Sequence, residues 1–241
     1  MNKIFIFFII IHHSASFLFS QNTPASRPKV GEVLKRESYP SQLNITDADG
    51  RPFKNNYPDV KGSPFFIEDW TYSSMLLNNG ATYERIKIRL DVCNQEVHVM
   101  KNDIEIVIVP GYIKTVDLFD SVRSKHYKFK SGFPKIDNQN TNNFYQVLCE
   151  EPISLLKSIR KTIAVNKNDL SGEIEKQFNT YEDYYIFSNN KMKRLKKEKD
   201  FILSIVSGKK DKLELFFKEN DINFKNINDL IKLFDFYNSL Y

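Results

Sequence analysis

The sequence predicts an α+β protein in which an antiparallel β-meander is followed by C-terminal helices that pack on it. Through the middle of the chain, apolar and polar residues alternate in short runs, as they do in strands with one buried face. Gly, Pro, Asn and Asp separate those runs at intervals typical of hairpins. Near the C-terminus the apolar residues recur every three or four positions, which is the spacing of amphipathic helices. A strongly curved or half-barrel sheet is compatible with this pattern.

The first 20 residues have the pattern of a secretory signal peptide. Lys3 precedes the apolar run from Ile4 to Ile11, and small residues follow that run. The run is shorter than the roughly 20 residues that a membrane-spanning helix needs. Signal-peptide cleavage could follow Ser16 or Ser20. We therefore expect an exported protein, periplasmic or extracellular, that is soluble after cleavage and has no transmembrane segment in the mature chain.

Residues 21–60 are predicted to form an irregular, Pro-rich arm. Five of the nine prolines of the chain lie in this stretch. Proline lacks a backbone donor and restricts the residue before it, so such a stretch seldom forms a regular helix or strand. We expect the arm to be exposed and to contribute to binding.

Residues 61–190 carry the predicted meander. Charged and apolar residues alternate strictly from residue 85 to residue 92, which predicts a strand with one buried face and one solvent face. On the next strand, Val97 and Val99 would face the core and His98 the solvent. Turns are expected at residues 93–95, 101–103, 110–111, 150–152 and 189–190.

Two further segments of the meander have less regular patterns. Residues 104–109 are apolar at both even and odd positions, which predicts a central strand that is covered on both faces. Residues 153–165 fit either a strand or a helix face, and their β-branched end favours a strand.

Residues 191–241 are predicted to form a C-terminal helical segment. Gly208 is a suitable stop for the first helix, and Asn226 or Asn228 can cap the last one. Apolar residues at helical spacing lie within residues 195–206, 213–217 and 230–237.

The sequence offers little material for catalysis or metal binding. Beyond the predicted leader it contains two histidines, His98 and His126, and it has no HExxH, paired CxxC or GxSxG motif. The net charge of +5 is mild and the basic residues are interspersed with acids, so we expect no nucleic-acid binding. We therefore predict no catalytic residues, no cofactor, no bound metal and no enzymatic activity.

Two cysteines and a set of aromatic residues remain as candidates for structural or binding roles. In an oxidising compartment Cys93 and Cys149 could form a disulfide, or they could remain separate thiols on different strands. Aromatic residues early and late in the meander could line an apolar binding surface, although such residues also fill cores. The candidates for this surface are Phe65, Phe66, Trp70, Phe144 and Tyr145.

Several segments together resemble a known family. They are "VKGSPFFIEDW", "NNGATYERIKIRLDVCNQEVHV", "FYQVLCEEPISLLKSIRKTI", "YYIFSNNKMKRLKKEKDFILSI" and "NDLIKLFDFYNSL", which lie between about residue 60 and residue 241. This combination is similar to a family of small exported envelope proteins of Bacteroidetes-type Gram-negative bacteria. The chain has "RLDVCN" where many members have Tyr-Asn, so the turn of that hairpin is expected to differ. The resemblance implies a location in the bacterial envelope and no catalytic residues.

These observations predict an exported, non-catalytic envelope or secreted protein that acts through protein or surface interaction. The alternative is a carrier that holds an apolar ligand, such as a lipid, within a curved sheet. The expected partner is accordingly an envelope protein or an apolar ligand.

Overall fold

Twelve strands and three helices make up most of the chain that the structure, a computed structural model, describes: residues 50–53, 57–167 and 172–241. The predicted signal peptide and most of the predicted arm lie outside these residues. The α+β fold class is confirmed. The strands are β1 (Gly50–Pro52), β2 (Val60–Lys61), β3 (Thr71–Leu77), β4 (Thr82–Asp91), β5 (Glu96–Lys101), β6 (Ile104–Ile108), β7 (Ile113–Asp120), β8 (Lys125–Lys130), β9 (Tyr145–Cys149), β10 (Ser154–Lys167), β11 (Ile174–Ser188) and β12 (Lys191–Arg194), and the helices are α1 (Lys199–Ile205), α2 (Lys210–Glu219) and α3 (Ile227–Asn238).

The described strands form one mixed sheet. Its order is β1-β6-β5-β4-β3-β7-β8-β9-β10-β11-β12, and β2 pairs in parallel with β11. The order departs from a single meander because β3 pairs with both β4 and β7. The chain therefore makes two antiparallel up-and-down runs, β3–β6 and β7–β12, which meet along β3. Alternation predicts each strand, but it does not specify the strand's second neighbour, and consecutive strands are neighbours only about two-thirds of the time.

Part of the predicted irregular arm contributes to the sheet. β1 pairs with β6, and the Phe53 backbone N–H donates to the Glu105 carbonyl at 3.1 Å. β2 lies beside β11, with Val60 opposite Lys176. An edge strand offers unpaired N–H and C=O groups, so it can recruit a short extended segment that composition alone would class as irregular.

Two predicted hairpin turns are confirmed with their backbone geometry. Asn102 and Asp103 join β5 to β6, and Asn189 and Asn190 join β11 to β12. All four residues have φ between 50° and 61°, the left-handed region that a two-residue type I′ turn requires at both positions. Asn and Asp tolerate this region better than other non-glycine residues, so the sequence fixes the register of both hairpins.

The main apolar cluster lies on one face of the sheet. Ile88 and Leu90 of β4 and Val97 and Val99 of β5 are buried, as the alternation predicts. They pack with apolar residues of β3, β6, β7, β8 and β10. This buried face is shared by both up-and-down runs, so it holds the two runs together.

The prediction of a fully covered central strand at residues 104–109 is wrong. This segment forms β6, whose neighbours are β5 and the three-residue β1. Ile104 is 59% exposed, whereas Val107 and Ile108 are buried. A run of consecutive apolar residues is equally compatible with a strand near an edge that is covered only along part of its length.

The strand interpretation of residues 153–165 is confirmed by β10. This strand pairs with β11 along its whole length, from Ser154 opposite Phe187 to Lys167 opposite Ile174. The preceding strand β9 reaches only as far as Ser158 of β10. The outer half of the β10–β11 hairpin therefore extends beyond β9.

The three helices pack over β9 and β10 in a second apolar cluster. Leu230, Leu233 and Phe234 of α3 are fully buried in it. Asn226 caps α3 by accepting a hydrogen bond from the Asn228 backbone N–H at 2.9 Å, as predicted. No helix in the described part of the chain combines the length and apolarity needed to cross a membrane.

Asn238, at the end of α3, fixes the helix to the turn between β9 and β10. Its side-chain amide donates to the carbonyls of Glu150 and Ile153, and its side-chain oxygen accepts from the Ile153 N–H at 3.1 Å. We expect Asn238→Ala to lower the free energy of unfolding by about 2 kcal/mol, because the partly buried N–H and C=O groups of Ile153 lose their partner. Chemical denaturation measures this loss. Asn228→Ala, on the exposed side of the same helix, is the control and should change stability by less than about 0.5 kcal/mol.

Candidate functional site

The outer half of the β10–β11 hairpin has one apolar face. Cross-strand partners in an antiparallel pair project to the same side of the sheet. The partners here are Ile163 with Phe178, Val165 with Lys176 and Lys167 with Ile174. We call these six residues the hairpin face. The opposite side of the same strands carries Thr162, Ala164, Asn166, Glu175, Gln177 and Asn179.

The hairpin face is exposed where it lies farthest from the rest of the sheet. Val165 and Ile174 are each 61% exposed and Ile163 is 39% exposed. By contrast, Leu155 and Leu156, at the inner end of β10, are fully buried. Aliphatic side chains that cluster on a surface mark an interaction site more often than single exposed ones do. The inner half of the hairpin is packed into the protein, and the outer half exposes the apolar side chains of the hairpin face.

Lys161 secures the base of the hairpin face. Its ammonium group donates to the carbonyls of Ser63 at 2.7 Å and Phe65 at 2.6 Å, and its backbone N–H donates to Val92 O at 3.2 Å. Burial lowers the pKa of the Lys161 ammonium group. Since this amine is bound to backbone carbonyls, the cations that the hairpin face offers to a partner are Lys167 and Lys176.

A cleft of about 230 Å³ continues from the base of the hairpin face. Phe178 belongs to both, and its ring contacts the edge of the Tyr57 ring with centroids 5.2 Å apart. The Tyr57 hydroxyl accepts a hydrogen bond from the Asn94 side-chain amide at 2.5 Å, and burial raises the pKa of the phenol. The residues that line the cleft are Phe53, Tyr57, Gly62, Ser63, Pro64, Phe65, Glu68, Arg89 and Phe178.

The outer edge of β11 is open between two short partners. β2 pairs with Lys176 and Gln177, and β12 pairs with residues 185–188. Between them, no strand in the described residues pairs with residues 178–183 on that side, and we call this segment the open edge. Backbone N–H and C=O groups along such an edge can form a ladder with another chain.

His98 is buried rather than facing the solvent, so that prediction is wrong. Its ring lies 5.0 Å from the Phe53 ring and 5.1 Å from the Phe65 ring, centroid to centroid. His98 Nδ1 is 2.6 Å from Glu105 Oε1, which also accepts from Arg89 Nη2 at 2.7 Å. Phe53 and Phe65 come from segments outside the β4–β5 hairpin and cover the face that alternation assigned to solvent.

The same covered face brings together residues that could hold a metal ion. Asp91, Glu96 and His98 each offer one ligand atom, and these atoms lie within 4.8 Å of one another. Asp91 pairs with Glu96 across the hairpin, and His98 lies two residues beyond Glu96. The sequence signal for this cluster is Asp91 before the predicted turn, with Glu96 and His98 at alternate positions after it. The sequence prediction of no metal site rested on the few His and Cys residues and on the missing motifs, which do not reveal carboxylate ligands.

The five aromatic residues proposed as a binding surface lie in different packing environments. Phe144 packs in the main core, and Phe66 packs against that core. Tyr145 is buried in a third cluster with Phe133 and Tyr185. Phe65 is buried, and the guanidinium carbon of Arg89 lies 3.9 Å from the centroid of its ring and 4.2 Å from the centroid of the Trp70 ring. Only Phe65 lines the cleft at the base of the hairpin face.

The two cysteines are free thiols, so the disulfide that the sequence allowed is not formed in this structure. Cys149 is buried among the helices, and Cys93 lies in the turn between β4 and β5. Burial raises the pKa of both thiols. Thiols of this kind are poor nucleophiles near neutral pH.

The second histidine lies on the surface. His126 Nδ1 is 2.9 Å from Asp117 Oδ1, and the two side chains are 67% and 37% exposed. An adjacent cleft of about 230 Å³ includes Ser73, but the Ser73 hydroxyl already bonds to Thr71 and to the Phe119 N–H. An exposed His–Asp pair does not supply the water-excluded setting that acid–base catalysis uses. The expectation that the protein is not an enzyme stays a prediction.

Comparison with known proteins gives no match to a family model, and no curated protein or solved structure is significantly similar to the chain.

Proposed function

We propose that the protein is an exported, non-catalytic interaction protein that binds a partner protein through the hairpin face and the open edge. The observation that carries this proposal is the exposure of Ile163, Val165 and Ile174 on one side of a hairpin whose base is fixed to the sheet. Burial of a fully exposed aliphatic side chain contributes about 1.5–3 kcal/mol. These three side chains are 39–61% exposed, so each can supply part of that amount to the binding of a partner.

Export supports a role outside the cytoplasm, in the periplasm or the extracellular medium. The proposal of export rests on two observations. Within residues 1–20 a positive charge is followed by an apolar run and then by small residues, and the chain resembles exported envelope proteins. The first 20 residues lie outside the described part of the chain. We propose that the partner is a protein of the same compartment.

The hairpin face indicates the chemistry of the partner. Lys167 and Lys176 are interspersed with the apolar side chains, so the complementary surface combines apolar groups with acidic residues placed opposite the two lysines. The open edge, residues 178–183, adds backbone donors and acceptors that an extended segment of the partner can pair with. A lipid surface would use the lysines and aliphatic residues but has no strand to add to the edge. This difference favours a protein partner.

A pull-down from envelope extract with two matched variants tests the proposal. Val165→Glu places a charge on the hairpin face, whereas Asn166→Glu places the same charge on the opposite side of the same strand. We expect the wild type and Asn166→Glu to capture the same protein. The yield with Val165→Glu should fall at least about tenfold, since about 1.4 kcal/mol is already a factor of ten.

Two outcomes contradict the proposal. In the first, the pull-down does not depend on the hairpin face: both variants capture the protein as well as the wild type does, or none of the three proteins captures a partner. In the other, the purified protein binds vesicles that contain anionic lipid, and Val165→Glu abolishes that binding while no protein is captured. The second result would assign the hairpin face to a membrane surface.

The cleft at the base of the hairpin face is the observation that favours the alternative function, a carrier of an apolar ligand. Phe53, Tyr57, Phe65 and Phe178 line it together with polar groups, and its volume of about 230 Å³ is below the usual range for drug-sized ligands. Native mass spectrometry of the purified protein separates the two functions. A co-purified lipid supports the carrier, and a ligand-free protein supports the interaction role.

A further inference from the structure

We propose that Asp91, Glu96 and His98 form a binding site for one divalent first-row transition-metal ion, such as Zn²⁺. One ligand atom from each residue lies within 4.8 Å of the other two. All three side chains belong to one face of the β4–β5 hairpin, where Asp91 and Glu96 are cross-strand partners. The site is separate from the hairpin face, and the inference does not depend on the proposed interaction.

The side chain that points to a ligand is His98, which is fully buried. Its Nδ1–H donates to Glu105 Oε1 at 2.6 Å. Its Nε2 is buried, has no hydrogen-bond partner among the residues that the structure describes, and lies 4.0 Å from Glu96 Oε2. In the neutral ring with its proton on Nδ1, Nε2 keeps a lone pair, and a cation between Nε2 and Glu96 Oε2 would be bound by both atoms.

The groups behind His98 have the arrangement that orients metal-binding histidines. In such sites the nitrogen that does not bind the metal donates to a carboxylate. Glu105 provides that carboxylate, and Arg89 holds it through Nη2 at 2.7 Å. Arg89 is itself fixed between the rings of Phe65 and Trp70. The imidazole is therefore held in one orientation before any ion binds.

The two carboxylates are also held in place. Asp91 Oδ1 accepts from the backbone N–H groups of Cys93 at 2.7 Å and Asn94 at 2.9 Å, whereas Oδ2 accepts a longer bond of 3.2 Å from the Asn94 side chain. Glu96 Oε1 accepts from Arg51 Nη2 at 2.8 Å, which leaves Glu96 Oε2 on the side of His98. Each carboxylate thus keeps an oxygen for an ion.

The donor set selects the class of metal. One imidazole nitrogen with two carboxylate oxygens suits Zn²⁺, Co²⁺, Ni²⁺ or Mn²⁺, whereas Mg²⁺ and Ca²⁺ prefer oxygen ligands alone. Bonds of about 2.0–2.2 Å place the ligands of a tetrahedral ion about 3.3 Å apart. The present separations are up to 4.8 Å, so the ligand atoms that are farthest apart must approach by up to about 1.5 Å. Glu96, whose side chain is 16% exposed, is the ligand with room to move.

Calorimetric titration of Zn²⁺ into the untagged, EDTA-treated protein tests the site. We expect one ion per chain with micromolar or tighter affinity. Glu96→Gln should weaken binding at least about tenfold, because it removes a ligand charge yet keeps an acceptor for Arg51. His126→Gln is the matched control, since it removes the exposed histidine beside Asp117, and it should bind Zn²⁺ as the wild type does.

The inference is overturned if the wild type binds neither Zn²⁺ nor Co²⁺ in the micromolar range. It is also overturned if His126→Gln abolishes binding and Glu96→Gln does not. Should Glu96→Gln fail to fold, ¹⁵N NMR of the wild type decides instead. Zn²⁺ must then change the ¹⁵N chemical shift of His98 Nε2 and leave the ¹⁵N chemical shifts of His126 unchanged. The reverse pattern contradicts the site.

Discussion

Replacement of Arg89 by alanine should lower the free energy of unfolding by about 3 kcal/mol, the lower end of the range found when one partner of a fully buried ion pair is removed, because this pair is partly buried. The Arg89 and Glu105 side chains are only 16% and 18% exposed, and their atoms lie 2.7 Å apart. Without Arg89, the Glu105 carboxylate keeps His98 as its remaining side-chain donor in the described structure. The aromatic rings of Phe65 and Trp70 also lose the cation between them.

Urea denaturation followed by the fluorescence of Trp70, the single tryptophan of the chain, measures this loss. Arg160→Ala is the matched control because Arg160 also pairs with a carboxylate, Asp183, at 2.8 Å, but its side chain is 42% exposed. That exposed pair should contribute less than about 1 kcal/mol. Equal losses in the two variants would show that the Arg89–Glu105 pair is no more important to the fold than a surface pair.

Replacement of Leu233 by alanine should destabilise the protein by about 3 kcal/mol through lost burial and the cavity that is left. Leu233 is fully buried between α3 and the strands β9 and β10. Leu215→Ala is the matched control, since Leu215 is a helical leucine of α2 that is 58% exposed. We expect that control to change stability by less than about 0.5 kcal/mol. Thermal and chemical denaturation of both variants measure the difference, and a loss below 1 kcal/mol for Leu233→Ala would contradict the proposed docking of α3.

Local features of the fold could be predicted where local chemistry determines them. The alternation around Ile88 and Leu90 identifies β4, and Asn-rich turns at Asn102 and Asn189 fix two hairpins. The cap at Asn226 was also predictable, because short polar side chains satisfy the free N–H groups at a helix start. In each case the signal lies within a few residues of the feature.

Features that depend on distant segments could not be predicted. The pairing of β3 with β7 and the placement of β6 near an edge are set by the whole sheet. The burial of His98 depends on Phe53 and Phe65, which approach from outside its hairpin. Alternation distinguishes the two faces of a strand, but it does not show whether a second layer covers the polar face.

The candidate site was only partly predictable for the same reason. Ile163 and Val165 share a parity in the sequence, and Ile174 and Phe178 share one in the following strand, so an amphipathic hairpin could be recognised. The sequence does not reveal that β9 ends before the outer half of this hairpin and leaves its apolar face uncovered. The aromatic residues proposed as a surface are larger than the aliphatic residues of the hairpin face, and Phe65, Phe144 and Tyr145 are buried.

Site-specific photocrosslinking tests the interaction role of the hairpin most directly. A photoreactive phenylalanine analogue is placed in turn at positions 165 and 174 on the hairpin face, and at positions 166 and 175 on the opposite side. Irradiation of the full chain in envelope extract should link one and the same protein to positions 165 and 174 and not to positions 166 and 175. Equal crosslinking from both sides, or crosslinking from positions 166 and 175 alone, would contradict the proposed binding face.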